Sequence, residues 1–151
     1  MRVDQASRVI RASPSELYGA FANPRALESW LPPRGMTGHL EKFDFRDGGA
    51  YRIRLTYDDG GQNRGKSSDD SDDVEVRFVR LVQDEAIEQA VTFDSDDPRF
   101  SGEMTMVWRF LPVPSGTEVT VRCENVPEGI GEDDHQAGLT SSLENLASYV
   151  E

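Results

Sequence analysis

The feature that most constrains this chain is a change of period near its C-terminus. Leu139, Leu143, Leu146, Ala147 and Val150 follow 4-3-1-3 spacing, the single apolar stripe of an amphipathic helix over residues 132–150. Much of the preceding chain alternates with a period of two instead. Tyr51, Ile53, Leu55 and Tyr57 fall on one face of a run whose other face carries Arg52, Arg54 and Thr56, the pattern of a half-buried antiparallel strand. A sheet with one apolar face needs a cover, and the C-terminal helix carries the complementary stripe. The predicted class is α+β: a curved antiparallel sheet of about seven strands wrapped around a long C-terminal helix.

Local signals place the remaining elements. Residues 3–11 read as a first strand. Ser13-Pro14-Ser15-Glu16 combines an N-cap serine, a proline suited to the first helical position and a capping-box glutamate, and Leu17, Ala20 and Phe21 continue at helical spacing. Asn23-Pro24 ends this helix and starts another through Leu27 to Trp30, which Pro32-Pro33 stops. A strand over 38–46 puts Phe43 and Phe45 on one face together with His39 and Glu41, and Asp47-Gly48-Gly49 is a turn signal. Four more strand-like runs follow at 74–82, 86–93, 104–110 and 119–123. The third sets Met104, Met106, Trp108 and Phe110 on one side, and the last puts Cys123 in line with Val119 and Val121.

Composition then removes function classes. A length of 151 residues fits one domain, here taken as 1–151. Sixteen Lys and Arg against 28 Asp and Glu give a net charge of −12, a field that repels a phosphate backbone, so neither nucleic acid nor an anionic membrane is an expected partner. A single cysteine, Cys123, forms no intrachain disulfide, and the absence of a signal-peptide pattern or an 18-residue apolar run points to a soluble cytoplasmic protein. His39 and His135 are the only histidines, too few and too far apart in sequence for a histidine metal cluster, and no cofactor or metal is expected. Residues 58–73 contain no apolar side chain, and six acids against Arg64 and Lys66 leave this segment at −4. It reads as a flexible acidic hairpin loop, since its aspartates lack the spacing of a calcium loop.

The order of these elements resembles the helix-grip superfamily of START-related and polyketide-cyclase-like domains (SRPBCC). Within it, Trp30-Leu31-Pro32-Pro33, the run from Phe43 through Gly48-Gly49 to Arg52, and His135-Gln136-Ala137-Gly138-Leu139 with Leu143 and Leu146 are similar to the activator of heat-shock-protein-90 ATPase homologue family. The resemblance covers essentially the whole chain. It departs at Leu139, where the family commonly has tryptophan, and at the acidic loop, which looks like an insertion in a tighter hairpin. It implies a domain with a cavity between sheet and helix.

Trp30, Phe45, Tyr51, Ile53, Phe78, Phe93, Met104, Met106, Trp108, Leu139 and Leu143 are the apolar residues expected to meet around the helix and line a ligand site. The thioethers of Met104 and Met106 suit an adaptable wall. His135, on the inward stripe near the helix start, is the polar candidate for hydrogen bonding or proton transfer, with Glu41 as an inward carboxylate. These residues frame three functions. The first is binding of a small hydrophobic or amphipathic molecule. The second is a cyclase- or hydrolase-like reaction using His135. The third is a chaperone-associated interaction, with a homodimer also open. No catalytic constellation is evident, so binding leads.

Overall fold

The computed structural model describes residues 2–58 and 71–151. In chain order the elements are β1 (Val3–Ile10), α1 (Pro14–Ala22), α2 (Pro24–Trp30), β2 (Met36–Phe43), β3 (Ala50–Tyr57), β4 (Ser71–Val82), β5 (Ala86–Phe93), a 3-10 turn at Pro98–Phe100, β6 (Met104–Val113), β7 (Gly116–Glu124) and α3 (Glu132–Val150). The strands form one sheet in the order β1-β7-β6-β5-β4-β3-β2, with every neighbouring pair antiparallel. Seven strands, two short helices after the first strand and a long terminal helix are the predicted α+β helix-grip architecture.

The caps form as their sequences dictate. Ser13 accepts from the Glu16 amide at 3.1 Å while the Glu16 carboxylate accepts from the Ser13 amide, closing the capping box. Asn23 Oδ1 accepts from the amides of Arg25 and Ala26, starting α2 one residue after α1 ends. The start of α3 is different: its N-cap is Gly131, which has no side chain to bond the helix, and only the acids Glu132, Asp133 and Asp134 complement the helix dipole there.

Two local departures from the sequence pattern move residues between faces. The strand expected over 38–46 is β2, ending at Phe43, and it carries a bulge: Leu40 pairs with Ile53 and Lys42 with Arg52, leaving Glu41 as the extra residue. Leu40 and Phe43, three positions apart, therefore both lean on the core, while Glu41 and Lys42 are exposed. Strict alternation had put Glu41 and His39 on the Phe43 face. Both instead lie outside, with His39 exposed opposite Arg54 and Glu41 Oε1 4.0 Å from Arg52 Nε.

The second departure concerns the acidic segment. Residues 59–70 of the predicted loop lie outside the described residues, but Ser71, Asp72 and Asp73 are the first residues of β4, buried and paired with Thr56, Leu55 and Arg54 of β3. Burial of Asp73 is compensated by the Arg54 guanidinium, which donates to both carboxylate oxygens at 2.7 and 3.0 Å. Beyond β2, the glycine turn is tied to β4: the Gly48 amide donates to the Phe78 carbonyl and the Phe78 amide to the Gly49 carbonyl, both at 2.8 Å. A Cβ at Gly49 would sit 2.2 Å from the Asp44 carbonyl oxygen, so this turn demands glycine.

Candidate functional site

By backbone proximity α3 lies closest to β1 and also meets α1 and α2, while α2 approaches β2 and α1 approaches β6. The strands β5, β4 and β3 lie between β6 and β2 in the sheet. Large side chains span the space over these middle strands. Tyr51 and Ile53 of β3, Val74, Val76 and Phe78 of β4, and Ile87 and Val91 of β5 are all buried on this concave face.

Two aromatic groups connect helices to sheet. Trp30 from α2 meets Trp108 of β6 edge-on with centroids 5.8 Å apart, and Phe21 of α1 packs against both at 4.8 and 5.0 Å. The Trp30 indole N–H donates to the Ala20 carbonyl at 3.0 Å, so its polar edge is satisfied while its ring is buried. In the second group Phe45 contacts Tyr18 at 5.5 Å and Phe78 at 5.0 Å and stacks on Phe43 at 6.2 Å, while Tyr51 lies 6.2 Å from Phe43 and 5.6 Å from Phe78. Burial raises the Tyr51 phenol above its ordinary pKa.

The expected wall residues are thus brought together, as two classes. Trp30, Tyr51, Ile53, Phe78, Met104, Trp108, Leu139 and Leu143 are buried in one core, whereas Phe45, Phe93 and Met106 are only partly buried against it. Glu41 stands apart on the outer face. The wall side chains pack into one core cluster, and a cavity of about 440 Å³ lies on the outer surface. It forms where the connection from α2 to β2, Pro32 to Gly35, meets Asn145, Ser148 and Tyr149 of α3, and Trp30 is the one predicted wall residue that lines it.

His135 occupies the opposite flank, where α3 begins over β1. Its Nδ1 lies 2.6 Å from Asp4 Oδ2, and the same carboxylate receives Arg2 Nη2 at 2.7 Å and Nε at 3.3 Å. Asp4 is 5% exposed. The Arg2 guanidinium, followed by the His135 contact, holds the Asp4 carboxyl below its ordinary pKa despite burial. Arg2 also donates to the Ile130 carbonyl, and Gln136 Nε2 to the Gln5 carbonyl at 3.1 Å, so the weakly capped end of α3 is fastened to β1 largely by polar contacts. Sequence reasoning missed Asp4. Its signal was an acid in the inward register of β1, alongside Ala6 and Ile10.

A second polar residue on the concave face was also missed. Gln89 falls in the inward series Ile87, Gln89, Val91 of β5 and is 2% exposed, yet its Oε1 has no hydrogen-bond partner. Strand pairing sets one transverse row of residues: Phe78, Gln89, Met106, Cys123 and Asp4. Cys123 is fully buried in this row, and burial, with the nearby Asp4 charge, pushes its thiol up to about 12. Among the described residues no group of histidine, cysteine and acidic side chains is placed to hold a metal ion, and no helix is long and apolar enough to cross a membrane.

Residues 11–151 match the family described as Activator of Hsp90 ATPase homolog 1-like protein. The chain belongs to this family. Activator-homologue membership agrees with the helix-grip architecture and with the wider SRPBCC superfamily. Among solved structures, protein CV1439 from Chromobacterium violaceum shares 29% identity at a TM-score of 0.86, over 100% of this chain and 99% of that one. An AHSA1-like protein from Aeromonas hydrophila has the same fold at 18% identity and a TM-score of 0.70, over 99% and 92% of the two chains. Protein MLL2253 from Mesorhizobium loti superposes at a TM-score of 0.71 with 20% identity, over 98% and 96%. No curated protein matches the sequence.

Proposed function

We propose that this activator-homologue domain binds a small apolar or amphipathic molecule between the concave sheet face and the helices. The observation that carries the reading is the span over β3–β5. Here several apolar side chains packed against the core, Phe43, Phe45, Phe93 and Met106, are only partly buried. Aromatic rings and a thioether can change rotamer to admit a ligand at lower cost than a backbone element can move. The fold and family membership support a ligand-binding helix-grip domain, and the buried Cys123 as sole cysteine fits a reducing cytoplasm. The binding reading predicts that a panel of neutral aromatic and aliphatic amphiphiles contains members that raise the melting temperature in a concentration-dependent manner. A panel with no stabilising member overturns it.

A further inference from the structure

We propose that Gln89 is the polar anchor of that site, and that the ligand is a neutral molecule with an apolar body and one hydrogen-bond-donating group, such as a phenol or alcohol. This rests on the ligand-binding reading above. Gln89 lies in a central strand, is 2% exposed, and projects from the concave face with its amide oxygen unpartnered. Buried side-chain polar atoms almost always find a partner, because an unmet acceptor forfeits the hydrogen bond that water gave it in the unfolded chain. An unpaired oxygen in the middle of a sheet therefore marks a place where a donor from outside the chain belongs.

Its surroundings define that donor. Across the sheet Gln89 is flanked by Phe78 and Met106, and along its own strand by Ile87 and Val91 on the same face. No countercharge sits among these four neighbours, so a carboxylate or an ammonium would be desolvated without compensation. A neutral hydroxyl loses less on burial and supplies the missing proton. The ionised carboxylate farther along the row, Asp4, is occupied by Arg2 and His135, which leaves Gln89 as the acceptor of this row with an unmet bond. Met106, partly buried and next to Gln89 in register, is the side chain that must move for a ligand to reach it.

The test compares 1-naphthol with 1-methoxynaphthalene, which keeps the ring and removes the donor, by calorimetric titration of the wild-type protein and of Gln89→Met. Wild type is expected to bind naphthol about five- to tenfold more tightly than the ether, the contribution of one hydrogen bond to a neutral group. Gln89→Met is expected to lose that preference while binding the ether as well as wild type does. Equal wild-type binding of both compounds overturns the anchor but leaves the binding site standing. A naphthol preference that survives in Gln89→Met overturns the assignment to Gln89. Gain of stability in Gln89→Met with no change in either affinity means that an internal water only meets the oxygen, which also overturns it. If neither probe binds and the wider panel is also silent, the site itself fails and the anchor with it. If Gln89→Met does not fold, Gln89→Leu carries the same comparison, and equal wild-type binding of the two compounds overturns the anchor without either variant.

Discussion

Replacing Asp4 with asparagine tests how the helix is fastened to the sheet. The substitution preserves shape and removes one charge from a residue that is 5% exposed and receives Arg2 Nη2 at 2.7 Å and His135 Nδ1 at 2.6 Å. A hydrogen bond to a charged group contributes about 1.5–3 kcal/mol, and breaking a fully buried ion pair costs about 3–5 kcal/mol. The Arg2 side chain is 27% exposed and recovers part of its hydration, so we expect a loss near the lower range, about 2 kcal/mol. For a domain of this size that is a fall in Tm of about 4–8 °C. The pH dependence has a fixed sign. The folded carboxyl is held below the usual value of 3.8, so its contribution is complete above that value and is lost as pH falls through the lower folded value. Urea melts of wild type and Asp4→Asn at pH 7 and pH 3 are therefore expected to show a smaller difference at pH 3 than at pH 7. A difference below about 0.5 kcal/mol at pH 7, the range of an ordinary surface change, refutes the fastening role. So does a difference that does not shrink in acid.

Three further outcomes follow from the same geometry. Glu41→Ala is expected to change stability by no more than about 0.5 kcal/mol, because its carboxylate is exposed and its contact with Arg52 is long; chemical denaturation checks this, and a loss above 2 kcal/mol contradicts the bulge. Cys123, fully buried with its thiol raised to about 12, is expected to react with a thiol-specific chromogenic reagent only after denaturation, and stoichiometric reaction of the native protein at pH 8 contradicts that placement. Gly49→Ala forces a Cβ to 2.2 Å from the Asp44 carbonyl and is expected to destabilise the protein by about 1–3 kcal/mol in thermal melts; a neutral effect contradicts the tight turn.

The fold was legible because its determinants are local and periodic. The capping box at Ser13, the Asn23-Pro24 junction, the alternation of β3 and the stripe of α3 each encode an element within a short stretch of chain. The errors arose where one residue more or less changes the face. A bulge at Glu41 is invisible to a period-of-two reading, which carried both His39 and Glu41 to the wrong side. Ser71–Asp73 read as loop because they are polar; they join β4 because the β3 ladder and the Arg54 fork satisfy them, contacts made with residues about twenty positions away. The candidate site was legible in part. Its aromatic and methionine wall follows from alternation, but Asp4 and Gln89 gain their meaning only from cross-strand register, which sets them in one row with Cys123 and Met106.

The central claim, a ligand held over the middle strands within the grip, has a direct measurement. The methionines report separately on the two places a small molecule can go: Met104 and Met106 lie on the concave face, while Met36 lines the outer cavity between the α2–β2 connection and α3. Titrating methyl-labelled protein with a stabilising amphiphile and following the assigned methionine resonances is expected to shift Met106 most, Met104 with it, and Met36 little. Shifts confined to Met36 would place binding in the outer cavity and contradict the account.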